Sequence, residues 1–168
     1  MTAVERGDPS GTCQDEIGRR LVAAAHELIA ERYVLARHQI GAALLDTDGT
    51  VHLGLHLDAM IGRAAICAEA VALGVARMAT QAPLFAVAAV RFPKPSEDGP
   101  ARIVPPCGLC RELLLDHEPG LSVVVSIEGV GTCVPLAGLL PHKYVGTKWP
   151  TGSVPSPPLS STCAPERA

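Results

Sequence analysis

The sequence contains few aromatic residues and no large excess of either charge. Phe, Tyr and Trp together make up 3% of the 168 residues, and the formal net charge is -3. Nucleic-acid-binding proteins typically carry a basic patch, and single-strand binders also use aromatic side chains on which bases stack. Because the chain has neither a Lys/Arg-rich run nor enough aromatic residues for such a surface, we expect no nucleic-acid partner.

Long apolar segments are also absent. No run reaches the roughly 18 apolar residues typical of a membrane-spanning helix, and the first residues, MTAVERGDPSG, lack the apolar core of a signal peptide. We therefore expect no membrane association and a cytoplasmic location. The six cysteines are then expected to be reduced, since disulfides are rare in that compartment.

Most of the chain is expected to form one domain. A hydrophobic content of 48% in a chain of this length is enough for one sizeable core. Residues 1–14 are small and polar, and residues 150–168 hold Pro and Ser clusters without periodicity, which predicts a loose N-terminus and a disordered tail. The domain is therefore assigned to residues 15–149.

The hydrophobic periodicity predicts alternating helices and strands. A stripe with helical spacing follows Asp15, a favourable N-cap residue, and a strict two-residue alternation follows the Asp48-Gly49 turn. Helices are predicted for residues 15–33, 66–79 and 107–116, and strands for residues 39–46, 50–57, 84–91 and 121–127. This order indicates an α/β fold in which helices cover the faces of a sheet.

Two short motifs indicate a metal site. CAE spans residues 67–69, and PCGLC spans residues 106–110. Three thiols at this spacing predict a zinc ion with a fourth position open to water, because structural zinc usually has four protein ligands. The predicted ligands are Cys67, Cys107 and Cys110, all in the first turns of predicted helices, where the helix dipole favours thiolates. Glu69 would carry protons beside the open position.

Two other interpretations of these cysteines remain open at this point. Cys107 and Cys110 form a Cys-x-x-Cys pair, which is also found in redox proteins. A closed structural zinc site would need a fourth ligand, which Cys133 or a histidine could supply. The redox interpretation gives no role to Cys67 or Glu69.

The motifs resemble those of the small zinc-dependent cytidine deaminase family, nearest its blasticidin S deaminase branch. Cys-x-Glu followed by Pro-Cys-x-x-Cys matches the pattern of zinc deaminases, and the resemblance covers about residues 36–149. The other matching segments are Ile40-Gly41-Ala42-Ala43-Leu44, the extension Arg111-Glu112-Leu113, Leu139-Leu140-Pro141 and Tyr144-Val145. The resemblance implies a three-layer α/β/α sandwich with a mixed five-stranded sheet. It also implies bound Zn²⁺ and a homotetramer whose neighbours help close the active sites.

The resemblance also implies substrate-binding positions, although several of the residues differ from the family pattern. The sugar-binding Asn-x-Glu is replaced by His56 and Asp58, and the aromatic residue that packs on the pyrimidine is replaced by His38. The substrate-binding set implied in this way is His38, His56, Asp58, Ala68 and Pro105, with Pro105 acting through its backbone carbonyl.

Further implied roles concern charge and the C-terminal aromatic residues. The arginine that often follows Cys-Ala-Glu is Ala70 here, so Arg63 or Arg111 would have to offset the negative charge of the thiolates. We expect Arg111 to donate hydrogen bonds to the sulfurs, a means of tuning bound water. In the resembled branch C-terminal aromatic residues lie over the site, which points to Tyr144 and Trp149.

These expectations combine into one hydrolytic reaction. The chain is expected to convert a small cytosine-type aminopyrimidine nucleoside (cytidine, deoxycytidine or a blasticidin S-like compound) to its uracil form with release of ammonia. A deaminase of another amino-heterocycle, such as a guanine- or pterin-type ring, and a non-catalytic zinc or redox module remain as alternatives. The substrate stays open because the recognising positions are the ones that depart from the family pattern.

Overall fold

The structure, a computed structural model, describes the backbone of residues 9–148 and the side chains of residues 15–148. The predictions for residues 1–8, for Trp149 and for the tail at 150–168 lie outside the described residues. Within the described part of the chain, no helix combines the length and apolar character needed to cross a membrane.

The described residues form three α-helices and six strands. The helices are α1 (Pro9–Arg32), α2 (Ala68–Ala79) and α3 (Gly108–His117). The strands are β1 (Ile40–Asp46), β2 (Val51–Leu55), β3 (Leu84–Arg91), β4 (Arg102–Ile103), β5 (Ser122–Ile127) and β6 (Val130–Pro135). Short 3-10 segments cover Gly62–Ala64 and Leu136–Leu139.

The strands form a single mixed sheet in the order β2-β1-β3-β5-β6, with β4 paired to the end of β3. Among the described strands the only parallel pair is β3 with β5, in the register Ala86 to Ser122 and Val87 to Val123. α3 belongs to the crossover between these two strands, as parallel neighbours require. The mixed sheet is confirmed, but it has six strands where five were expected, because the two-residue β4 adds to the main five.

Helices cover both faces of this sheet, which confirms the three-layer α/β/α architecture. On one face Leu21, Ala25 and Ile29 of α1 pack against a buried cluster from β1, β3 and β5. On the other face α2 and α3 pack against Ala42, Val87 and other inward-facing strand residues. Because both faces are buried, β1 and β3 are near-continuous apolar segments, as is usual for central strands.

Three element boundaries differ from the sequence prediction by two residues or more, and two strands, β4 and β6, were not predicted. α2 begins at Ala68 and not at residue 66, and β2 ends at Leu55 and not at residue 57. α1 begins at Pro9, earlier than the predicted N-cap at Asp15. β6 was not predicted, although it follows a tight turn in which Glu128 and Gly129 have φ values of 51° and 85°. Two successive positive φ values are the mark of a type I′ hairpin turn, which Glu-Gly signals only weakly.

The polar face of β2 is buried at His52, although a hairpin at a sheet edge often leaves its polar face in solvent. His52 is 5% exposed, and its Nε2 lies 2.8 Å from Asp46 Oδ2. Asp46 also accepts a hydrogen bond from the Thr50 N–H. Burial alone would raise the pKa of Asp46, but the hydrogen bonds from His52 and Thr50 outweigh it and lower the pKa.

Gly54 brings α2 close to the sheet. A Cβ at this position would collide with the backbone of α2, namely the Ala68 carbonyl and the Ala72 N–H, and would lie 2.8 Å from Ala72 Cα. Glycine within a strand often marks such a close approach of two backbones. Because Ala68 is the first residue of α2, this contact fixes where the helix begins relative to the sheet.

Candidate metal centre

The site lies where the N-termini of α2 and α3 meet. Cys67 and Cys107 are the N-cap residues of the two helices, and both have extended backbone conformations. Cys110 lies in the first turn of α3 and is buried. Three sulfurs are therefore brought together from two helix starts, although the motifs are far apart in the sequence.

The spacing of these sulfurs suits a single zinc ion. Cys67 Sγ and Cys107 Sγ are 3.6 Å apart, and all three sulfurs lie within 4.8 Å of one another. Zn–S bonds of about 2.3 Å in a tetrahedron place sulfurs about 3.8 Å apart. The residues present therefore fit the metal that the motif predicts.

Among residues 15–148, no fourth histidine, cysteine or carboxylate belongs to this group. Cys133, the suggested fourth ligand of a closed site, lies on β6 and packs with the α1 cluster on the opposite face of the sheet. Gly18 of α1 is its neighbour, with the Cβ position 3.7 Å from Cys133 Sγ. Within the described residues the group therefore offers three protein ligands, one fewer than a closed structural zinc site needs.

The electrostatics of the three thiols favour binding of a cation. Burial raises the pKa of Cys110 strongly, and the negative charges of Glu69 and the other two cysteines raise it further. Burial and the hydrogen bond with Cys107 raise the pKa of Cys67. For Cys107 the effect of burial is outweighed by the Cys110 N–H and the neighbouring thiols, which lower its pKa. A divalent cation would remove this mutual repulsion and allow all three thiols to ionise.

Glu69 is the carboxylate of this site. It lies in the first turn of α2 and is 5% exposed. Burial raises its pKa, while its own backbone N–H and the Cys110 thiol, both of which donate hydrogen bonds to it, lower the pKa in part. A buried carboxyl with a raised pKa binds a proton more readily than an exposed one, which suits a group that must both accept and return a proton.

The predicted substrate residues that flank β1 and β2 lie at the end of the sheet near Cys67. His38 Nδ1–H donates to the His56 carbonyl at 2.8 Å, and the Asp58 N–H donates to the Arg37 carbonyl at 2.9 Å. Leu57 pairs with Ile66, the residue before Cys67. The structure thus brings the segments around His38, His56 and Asp58 together.

The side chains of these residues differ in burial. His56 Nδ1 is buried and has no partner among the described residues, whereas Asp58 is exposed and its Oδ1 accepts from the Ala59 N–H. Ala68 is fully buried against the sheet, and Pro105 is exposed. Their roles toward a substrate stay predictions.

Arg111 makes contacts other than those expected. Its Nε donates to the Pro106 carbonyl at 2.8 Å, and its Nη1 donates to the Leu139 carbonyl at 2.9 Å. The expected hydrogen bonds to the sulfurs are not among its contacts. These two acceptors orient the guanidinium toward the loop before Cys107 and toward the 3-10 segment, so Arg111 fixes the loop that delivers Cys107.

Sequence reasoning missed several residues that hold the site in place. Gly54 could have been noticed, since a glycine in a strand interior is unusual. No sequence signal singles out Arg77 and Glu118, which pair between the C-terminal ends of α2 and α3. Lys143 pairs with Glu112 and Asp116 of α3 and so holds the segment that contains Tyr144, which is itself 78% exposed.

Two relatives that are similar to the chain in sequence are deaminases. The chain is 38% identical over 125 residues to the blasticidin-S deaminase of Bacillus cereus, covering 74% of this chain and 89% of that protein. It is 32% identical over 111 residues to the cytidine deaminase of Halalkalibacterium halodurans, covering 65% of this chain and 79% of the relative. No protein-family model matches the chain.

The fold is similar to that of solved deaminases. The crystal structure of the cytidine deaminase from Mycobacterium tuberculosis superposes with a TM-score of 0.62 at 26% sequence identity. The match covers 76% of this chain and 96% of that chain. Both the sequence and the architecture of this chain are therefore similar to those of proteins with one shared chemistry.

Proposed function

Because the chain belongs to the cytidine deaminase family, nearest its blasticidin S deaminase branch, we propose that it is a zinc-dependent deaminase of a cytosine-type aminopyrimidine nucleoside. Membership makes it a hydrolytic enzyme acting on a C–N bond. The observation that carries the finer proposal is the group of three sulfurs with the buried Glu69 beside it. Cytidine, deoxycytidine and blasticidin S-like compounds are the candidate substrates.

Cys67, Cys107 and Cys110 would hold the zinc ion. When bound, zinc lowers the pKa of a water molecule to about 7 and so supplies hydroxide at neutral pH. The chain's part is to keep the three sulfurs on two rigid helix starts and to leave the fourth position free of protein ligands. Reduced thiols are needed for this, which suits a cytoplasmic enzyme.

Glu69 would move the protons. It takes a proton from the attacking water and passes it to the ring nitrogen adjacent to the amine-bearing carbon. It would then take the remaining proton of the added hydroxyl and deliver it to the amine, so that the C–N bond breaks, ammonia leaves and the carbon becomes a carbonyl. The raised pKa of Glu69 suits this role, because the group must accept and release a proton in each turnover.

The remaining residues would bind the substrate and complete the assembly. His38, His56 and Asp58 lie at the end of the sheet near Cys67, and the buried Nδ1 of His56 has no partner among the described residues, so it is free to bond a substrate hydroxyl or amine. Ala68 and the Pro105 carbonyl would contact the ring and its amine. We also propose a homotetramer, which would cover exposed apolar side chains such as Met60 and Ile61 in the segment between β2 and Cys67.

The test is ammonia release from a panel of aminopyrimidines and from guanine- and pterin-type rings, with zinc content measured on the same samples. Glu69→Gln should keep stoichiometric zinc and lose turnover by at least about 100-fold. The proposal fails if the purified protein binds no zinc, or if the variant retains turnover. Ammonia release only from other rings would instead support a deaminase of another heterocycle.

A further inference from the structure

The two helices that carry the metal ligands are joined a second time at their opposite ends. Arg77 lies in the last turn of α2, and Glu118 caps the C-terminus of α3. Arg77 Nη2 donates to Glu118 Oε1 and, at 3.5 Å, to the His117 carbonyl. Its Nη1 donates to the Ala82 carbonyl at 3.2 Å. We call this ion pair with its two carbonyl contacts the Arg77–Glu118 clasp.

The clasp is largely buried, which requires a physical reason. The Glu118 side chain is 7% exposed, and that of Arg77 is 29% exposed. Taking such charges out of water is costly, and apolar residues of similar volume often stabilise a fold as well or better. The best-attested benefit of a buried polar pair is that it fixes the register of the elements it joins. A planar guanidinium with several fixed donors suits that purpose better than an ammonium group.

Gly54 fixes where α2 begins against β2, but side-chain packing alone specifies the angle between α2 and α3 only weakly. The buried residues of α2 are Ala68, Glu69, Ala72, Leu73 and Ala76. Helices fix their crossing angle when ridges of larger side chains fill the grooves of a neighbour, and a face made mostly of alanines has shallow ridges. Polar contacts with defined geometry must then contribute to the angle between α2 and α3.

A small change in that angle has a large effect at the metal ligands. Arg77 lies ten residues after Cys67 in the sequence, which corresponds to a helix length of about 15 Å. At the end of such a lever, a tilt of roughly 4° moves a sulfur by about 1 Å. Metal ligands tolerate deviations of only about 0.2 Å, so the angle must be closely controlled.

We propose that the Arg77–Glu118 clasp positions the metal centre: it sets the angle between α2 and α3, and with it the separation of Cys67 from Cys107 and Cys110. Arg77 and Glu118 are positioning residues, since neither belongs to the sulfur group. This inference rests on the proposed function, because it requires that the three sulfurs bind one metal ion.

Two variants test the clasp without leaving a buried charge unpaired. Arg77→Lys keeps the charge but cannot reach all of the acceptors. Arg77→Met combined with Glu118→Gln removes both charges. Asp46→Asn is the matched control, because it breaks a buried polar contact inside the β1–β2 hairpin without touching α3. Circular dichroism and the unfolding midpoint of each metal-free protein establish that it is folded and how stable it is.

The readouts are the zinc dissociation constant, from competition with a chelator, and the visible spectrum of the cobalt-substituted protein, which reports ligand geometry. We expect both clasp variants to fold, to bind zinc about tenfold more weakly or worse, and to shift the cobalt bands, with the double variant the weaker binder. Asp46→Asn should change stability alone. Clasp variants whose zinc affinity and cobalt spectrum equal those of the control would overturn the inference. Absence of metal binding by the unmutated protein would instead overturn the proposed function.

Discussion

Replacement of Gly54 by alanine tests how the sheet positions the metal helix. The added Cβ would lie 2.8 Å from Ala72 Cα and closer still to the Ala68 carbonyl and the Ala72 N–H, all backbone atoms of α2. Backbone cannot rotate away as a flexible side chain can, so α2 must shift by roughly 1 Å to reach ordinary contact distances. Overpacking of this kind costs about 1–3 kcal/mol in the free energy of unfolding.

Two consequences of Gly54→Ala can be measured. The unfolding midpoint should fall by about 3–10 °C for a chain of this size. Because α2 begins at Ala68 and carries Glu69, a shift of about 1 Å should lower kcat/KM by about 100-fold, more than the loss of stability explains. Thermal unfolding, zinc affinity and deamination rate are measured on one preparation.

Gly74→Ala is the matched control, because Gly74 lies within α2, the helix against which Gly54 packs. Nothing lies within 4 Å of a Cβ at Gly74, and alanine is favoured over glycine in a helix interior by about 1 kcal/mol. Compared at the same oligomeric state, this variant should keep its activity and be as stable as the unmutated chain or more so. If Gly54→Ala behaved like Gly74→Ala, the close packing of α2 on β2 would be refuted.

Two further predictions concern Asp46 and Arg111. Asp46→Asn should lower the free energy of unfolding by about 1–3 kcal/mol at neutral pH. Folding lowers the pKa of Asp46 from 3.8, so the stability that its carboxylate contributes is complete above that pH and is lost as the pH falls through the lowered pKa. Denaturant titrations at several pH values should therefore show the unfolding free energies of the variant and the unmutated protein converging at acidic pH. Arg111→Gln should lower the free energy of unfolding by about 1–2 kcal/mol, because the Pro106 and Leu139 carbonyls lose their donors. The pH profile of turnover should stay unchanged. A shifted profile would show that Arg111 acts on the sulfurs.

The group of three cysteines was predictable from the sequence because a zinc site requires particular residue types at fixed spacing. Three thiols and a carboxylate in two short motifs have few other interpretations, and the helix starts that carry them were marked by periodicity and by the prolines before residue 107. The structure places Cys67, Cys107 and Cys110 in one group. It also buries Glu69, which no local pattern could establish.

The elements that were not predicted from the sequence are those with weak local signals. β4 has only two residues, and β6 alternates too little to be recognised before its pairing with β5 is known. The burial of His52 was likewise not predictable, since it depends on α2 covering that face of β2. In each case burial and pairing, which are properties of the whole fold, decide the outcome.

The sequence alone thus indicated the candidate metal ligands and the order of the elements, since the cysteine motifs, helix starts and the alternation of helices and strands are all encoded locally. Only the tertiary structure decided which distant contacts hold that chemistry in place: Gly54 under the start of α2, Arg111 on the loop before Cys107, and Arg77 with Glu118 at the far ends of the helices. The physical reason is that a metal centre depends on separations accurate to a fraction of an ångström between helices far apart in the chain. Such separations are set by side-chain contacts that exist only once the chain has folded.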